Sequence, residues 1–155
     1  MLAIAKRDIE RGAFNFGERI GMGRIFSPQN QDDDIRKTKA LIELLHDKVI
    51  DDREAENLLP YAEEICAAYV QWRNRENTEC YVPPQQEALI AGVEQLAQET
   101  GDMAAVVDLA ERFGWSFEQV LKMPYLDVFT IWKVDASRAK FQRRLNEVLK
   151  NKKSK

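Results

Sequence analysis

The sequence predicts an all-α protein, a compact bundle of about five to seven helices. Apolar residues recur at three- and four-residue steps along most of the chain, as they do on one face of a helix. Proline and glycine are scarce, at five and seven residues, which favours long helices over the many turns of β structure. A chain of 155 residues is long enough to bury one core of this kind.

Composition and charge narrow the classes of function. The net charge of -3 gives no reason to expect nucleic acid or an anionic membrane as a partner. Cys66 and Cys80 form no CxxC pair, so we expect reduced thiols in a cytoplasmic protein. The apolar start, Met1–Ala5, is too short for a secretion signal, and no stretch reaches the 18 or so apolar residues of a membrane span.

Residues 1–26 form a segment that contains glycine and phenylalanine and fits two conformations. Phe14 and Phe16 alternate with polar residues, as in an extended segment. Ile20, Ile25 and Phe26 could instead share one side of a short helix.

Three glycines within this segment argue against a stable long helix. They are Gly17, Gly21 and Gly23. The Gly21–Gly23 pair has neither the lysine nor the preceding strand of a phosphate-binding loop. A packing role near helix ends is therefore favoured over a nucleotide site.

Residues 27–150 are predicted to form a single helical domain. Asp32–Asp34 mark a helix N-terminus, where negative charge is favourable. They predict no metal site, because consecutive carboxylates splay around a helix axis. His46 lies near the end of that helix, where it would meet the last carbonyl groups. The next apolar stripe runs over 58–72, with Pro60 in a first helical turn.

The two halves of this domain join near residues 80–85. Tyr81-Val-Pro-Pro84 favours extended backbone, since residues before proline avoid the helical region. A helix over 85–98 follows, whose inward residues are predicted to be Leu89, Val93, Leu96 and Ala97.

Residues 103–123 resemble a helix-turn-helix unit, in which Gly114 makes the turn and Ser116 caps the second helix. A DNA-reading unit needs donors on that second helix. Here Glu118 and the preceding acidic residues oppose phosphate binding, and Pro124 ends the helix early. The sequence thus argues against nucleic acid as a partner, although a helix-turn-helix DNA-binding regulator remains the alternative function.

A long C-terminal helix follows Pro124 and ends in a Lys-rich tail over 151–155. It combines basic residues with an apolar stripe that includes Phe141 and Leu145. Such a helix could lie on a membrane or nucleic acid, meet an acidic surface of its own chain or of a protein partner, or simply be solvated.

The stretch LAERFGWSFEQVLKMP, residues 109–124, followed by an aromatic-rich helix, resembles the C-terminal part of the tail assembly chaperones of long-tailed bacteriophages and prophages. Residues 16–26 and 81–84 are also similar to short proteins of such tail gene clusters. The resemblance implies a largely helical protein of the bacterial host cytoplasm. It also implies that the protein coats a tape measure protein and helps tail tube subunits assemble around it.

We therefore expect a non-enzymatic protein that binds a tape measure or tail tube protein and could also bind itself. No nucleophile, base and orienting group can be named together, and no cofactor or metal is expected. A holding protein needs exposed apolar surface, so its large apolar residues are the candidate contacts, with core burial as the competing reading. The candidate contact residues are Phe14, Phe16, Ile25, Phe26, Tyr125, Phe129, Trp132 and Phe141.

Overall fold

A computed structural model describes residues 6–153 and confirms the all-α class. The described residues contain eight α-helices, one more than the upper end of the predicted range, and one π-helical turn. The elements are α1 (Phe16–Ile25), α2 (Asp34–His46), α3 (Asp52–Arg75), the π-helical turn (Glu76–Cys80), α4 (Gln86–Ile90), α5 (Val93–Thr100), α6 (Met103–Phe113), α7 (Phe117–Leu121) and α8 (Tyr125–Lys153).

Polar side chains fix where several helices begin. Asp33 caps α2 by accepting a hydrogen bond from the backbone N–H of Arg36, so the predicted acidic N-terminus is confirmed. Asp51 and Glu54 form a reciprocal capping box that begins α3 at Asp52.

Because α3 begins at Asp52, the prediction that Pro60 lies in a first helical turn is wrong. The proline lies inside α3 rather than in its first turn. Proline in a helix interior removes one backbone hydrogen bond and costs about 3 kcal/mol. The long buried face of α3, which includes Tyr61, Ile65 and Trp72, offsets this cost.

Both readings of the N-terminal segment are partly right. Asn15 forms an isolated antiparallel bridge with Pro124, with the Phe16 N–H donating to the Met123 carbonyl and the Tyr125 N–H to the Phe14 carbonyl, both at 2.9 Å. The chain then turns into α1, where Asn15 is the N-cap. This bridge ties the start of α1 to the junction of α7 and α8.

Side chains from α2 and α3 pack directly against two glycines of α1. A Cβ atom on Gly21 would lie 2.7 Å from both δ-carbons of Leu44 in α2. One on Gly23 would lie 2.9 Å from the Tyr69 hydroxyl. These glycines therefore leave room for the Leu44 and Tyr69 side chains where α2 and α3 contact α1, as the packing interpretation predicted.

One hydrophobic core joins α1, α2, α3, α6, α7 and the first half of α8. Its centre is aromatic: the Phe14 ring stacks on Tyr125 at 4.7 Å between centroids, and Trp72 meets Tyr125 and Phe129 edge-on at 5.3 and 5.4 Å. The Trp72 indole N–H donates to the Ile9 carbonyl, which holds the N-terminal loop against the core.

The predicted helix over 85–98 is two short helices, because Gly92 adopts a φ of +85° and breaks it between α4 and α5. The expectation that Leu89, Val93, Leu96 and Ala97 point inward is wrong. No residue of α4 or α5 is buried, and Leu96 is 58% exposed. This pair of helices lies on the surface of the molecule.

The helix-turn-helix shape is confirmed. Gly114 ends α6 with a φ of +66°, Ser116 caps α7, and Val120 is buried in the same core as Val106 and Leu109. The long C-terminal helix is confirmed as α8. It takes in the first three residues of the predicted Lys-rich tail; Ser154 and Lys155 lie outside the described residues.

Candidate protein-interaction surface

Four of the eight predicted contact residues belong to the core. They are less than 5% exposed and lie in the hydrophobic core, as the competing reading of core burial expected. These four are Phe14, Phe16, Tyr125 and Phe129.

Three more are half-buried. Ile25, Phe26 and Trp132 pack against the edge of the core, with the Phe26 ring 5.6 Å from Tyr69 and the Trp132 ring 5.4 Å from Phe16. Only Phe141 is plainly available to a partner, with 59% of its side chain exposed.

Phe141 belongs to a stripe of uncovered apolar residues on the second half of α8. Leu145, Val148 and Leu149 continue it at helical spacing, and Val134 precedes it by two turns. Each of these side chains is between 37% and 51% exposed. We refer to Phe141, Leu145, Val148 and Leu149 as the arm stripe, and to residues 137–153 as the C-terminal arm.

The arm stripe faces away from the body of the protein. In the first half of α8 the buried side chains are Tyr125, Val128, Phe129 and Ala136. Successive helix residues turn by about 100°, so Phe141 lies about 160° around the axis from Tyr125. The apolar faces of the two halves of α8 are thus on nearly opposite sides, and the chain's own core cannot cover the arm stripe.

Cations flank the arm stripe. The C-terminal arm contains seven lysine or arginine residues and one glutamate, a net charge of +6. Arg143 lies on the side of the core and donates to the Pro83 carbonyl. Among the described residues, no carboxylate lies within ion-pairing distance of Arg138, Lys140 or Arg144.

The opposite charge is concentrated in α4 to α7. Residues 86–121, called here the acidic segment, contain seven carboxylates and one arginine, a net charge of -6. That arginine, Arg112, is paired with Asp135 of α8. Within the described residues, five of the carboxylates have no cation within ion-pairing distance: Glu87, Glu94, Glu99, Asp108 and Glu111.

The acidic segment also carries uncovered apolar side chains, which the sequence analysis did not identify as contacts. Phe113 and Trp115 stack at 4.8 Å between centroids, and each is 39% exposed. On α5 and α6 the exposed residues Leu96 and Val107 each precede a glutamate by one turn, Glu99 and Glu111. For Leu96 the sequence held no signal of this exposure, because its periodicity predicts burial, whereas no residue of α5 is buried in the structure.

Two buried charged residues, Arg19 and Glu76, are the centre of a hydrogen-bonded network. The Arg19 guanidinium, 4% exposed, donates from Nε and Nη2 to the Glu76 carboxylate at 2.9 and 2.6 Å, and from Nη1 to Asp102 at 2.6 Å. Tyr125 and Arg73 also donate to Glu76. This network joins α1, α3, α6 and α8.

Burial sets the titration of this network. Burial raises the pKa of the Glu76 carboxyl, against the opposing effects of Arg19 and of the Tyr125 hydrogen bond. Burial and the Glu76 charge raise the pKa of Tyr125. Both carboxylate oxygens of Glu76 accept hydrogen bonds from donors of its own chain.

Neither the two thiols nor the imidazole is set up as a nucleophile or base: the thiols stay protonated, and the imidazole contacts a tyrosine hydroxyl. Burial raises the pKa of Cys66 and of Cys80, and a protonated thiol is a poor nucleophile. His46 ends α2 and its Nε2 lies 3.2 Å from the Tyr61 hydroxyl. Burial, with Arg7 and Lys48 nearby, lowers the pKa of His46.

Shallow grooves of about 270 to 410 Å³ open on the surface of the described residues. One of them lies at the base of the C-terminal arm, between the π-helical turn and the Trp132 and Ala139 side of α8. Within residues 6–153 no group of three or more potential ligand side chains could hold a metal ion. None of the helices described is both long and apolar enough to span a bilayer.

Comparisons with protein families, with curated proteins and with solved structures find no match to this chain.

Proposed function

We propose that this protein is a non-enzymatic assembly protein of a bacteriophage or prophage tail module, which binds a tape measure or tail tube protein in the bacterial cytoplasm. The observation that carries the proposal is the arm stripe. An apolar stripe on a projecting helix, bordered by cations, is suited to lie along another helix and has no use in the protein's own core.

The geometry favours an elongated helical partner. Val134, Phe141, Leu145 and Val148 follow one another at steps of seven, four and three residues, which is the spacing of helix-on-helix packing. The C-terminal arm is about 25 Å long, so it offers nearly five helical turns of contact. The resemblance of residues 109–124 to tail assembly chaperones supports the tape measure protein as that partner.

Co-expression tests this proposal. The tape measure protein encoded nearest the gene for this chain is produced alone, with the wild-type chain, or with the variant Phe141→Asp/Leu145→Asp. We expect the wild-type chain to keep the tape measure protein in the soluble fraction and the variant to lose most of that effect, because two carboxylates in the arm stripe would be desolvated on contact.

The matched control is Asn146→Asp/Asn151→Asp, which adds the same two charges to the arm away from the stripe. It should behave as the wild type does. A tape measure protein that stays insoluble beside the wild-type chain contradicts the proposal, as does equal protection by the stripe variant.

A further inference from the structure

The C-terminal arm and the acidic segment have opposite charges, and both expose apolar side chains that could pack together. One has a net charge of +6 and the other of -6, and both expose apolar side chains between their charges. We propose that the C-terminal arm of one molecule docks on α5 and α6 of a second copy, so that the protein assembles head to tail. This inference goes beyond the proposed function and is tested without any tail protein.

The docking cannot occur within one chain. The arm is a continuation of α8, whose first half is fixed in the core through Tyr125 and Phe129. Because the arm stripe lies on the opposite side of that helix, folding it onto the body would require α8 to break. A second molecule can approach the stripe freely.

Pairing of two arms is disfavoured by their charge. Side-by-side arms would bring two segments of net charge +6 together, whereas docking on the acidic segment brings opposite charges together. On that segment, Glu99 and Glu111 each lie one turn from an exposed apolar residue, Leu96 and Val107. Arg138 and Arg144 border the arm stripe in the same manner.

The two surfaces are different patches of the same molecule, so the contact is heterologous. Each docked molecule still presents a free arm, and the assembly grows into a ring or an open filament rather than stopping at a dimer. The assembly should therefore be larger than a dimer, either as a ring of fixed size or as a filament that lengthens as the protein concentration rises.

Sedimentation velocity of the wild-type chain is the first test. We expect oligomers at about 0.05 M salt that dissociate at about 0.5 M, with the apparent Kd rising at least tenfold, because salt screens exposed charges. A wild-type chain that stays monomeric at low salt and high concentration overturns the proposal. So does a chain that stays monomeric but binds vesicles containing phosphatidylserine, since the arm then serves an anionic membrane.

Charge reversal is the second test. The arm variant Arg138→Glu/Arg144→Glu and the segment variant Glu99→Lys/Glu111→Lys should each associate about tenfold or more weakly than the wild type. Mixed in equal amounts, they should assemble again, because each reversed surface then meets its complement on the other variant. The control Lys48→Glu/Arg53→Glu reverses two exposed cations elsewhere and should associate as the wild type does.

Far-UV circular dichroism and thermal melting check that all variants are folded; the reversed positions are exposed, so we expect little change. Failure of the mixture to assemble while each variant is folded overturns the proposal. A discrete dimer that survives in the segment variant also overturns it, because that result assigns the contact to paired arms.

Discussion

Replacing Glu76 by glutamine should be among the most destabilising isosteric changes in this protein. The Glu76 side chain is 7% exposed and accepts from Arg19, Arg73 and Tyr125. Glutamine keeps the shape but removes the charge, which leaves the buried Arg19 with only Asp102 as a counter-ion. Removing one partner of a buried ion pair costs about 3 to 5 kcal/mol, and we expect the lower end because the amide oxygen still accepts one hydrogen bond.

A loss of about 3 kcal/mol is a large part of the roughly 5 to 15 kcal/mol that stabilises a domain, and it corresponds to a fall in Tm of about 6 to 12 °C. Urea unfolding followed by far-UV circular dichroism measures it. The control is Asp102→Asn, which alters the 41% exposed partner of the same guanidinium and should cost less than about 1 kcal/mol. Equal losses from Glu76→Gln and Asp102→Asn would refute the reasoning.

Two further predictions concern α1 and the sole histidine. Gly21→Ala should stabilise by less than the gain of about 1 kcal/mol that helix propensity alone predicts, because its methyl group would displace the end of the Leu44 side chain; a full gain in urea unfolding would contradict the packing argument. Stability should fall as pH drops below the unfolded histidine pKa of about 6.5, because folding lowers the pKa of His46 and the folded state then binds fewer protons than the unfolded chain. The variant His46→Gln should flatten this part of the pH profile, and an unchanged slope would exclude His46 as its source.

Local patterns were sufficient to predict the class of fold. Apolar spacing, the Asp33 cap and the Gly114 turn are properties of adjacent residues, and each appears in the structure as expected. The start of α3 could also have been predicted from the sequence, since Asp51 and Glu54 have the spacing of a capping box. The expectation for Pro60 gave its local preference more weight than that signal.

The glycines of α1 show what local patterns cannot supply. Propensity argued against a helix, but Gly17, Gly21 and Gly23 lie where Leu121, Leu44 and Tyr69 come close. These neighbours are distant in sequence, and their approach is a property of the packed molecule. Tertiary contact therefore outweighed propensity here.

The candidate contacts were only partly predictable for a related reason. Periodicity identifies which residues share a face of a helix, but it does not say which face the rest of the chain will cover. Tyr125, Phe129 and Phe141 look alike as aromatic residues at helical spacing, yet the first two are core residues and the third is exposed. Counting rotation along α8 separates Phe141 from the other two, because it lies on the far side of the helix.

The apolar face of α8 changes side halfway along the helix, so substitutions in its two halves should have different effects. Tyr125, Phe129 and Ala136 face the body of the protein, so substitution there alters folding. Beyond Ala139, Arg143 donates a hydrogen bond from the arm to the Pro83 carbonyl, and most of the described arm side chains are exposed. The arm stripe is thereby released from the demands of the core, and its apolar and basic residues can be fitted to a partner without loss of the fold.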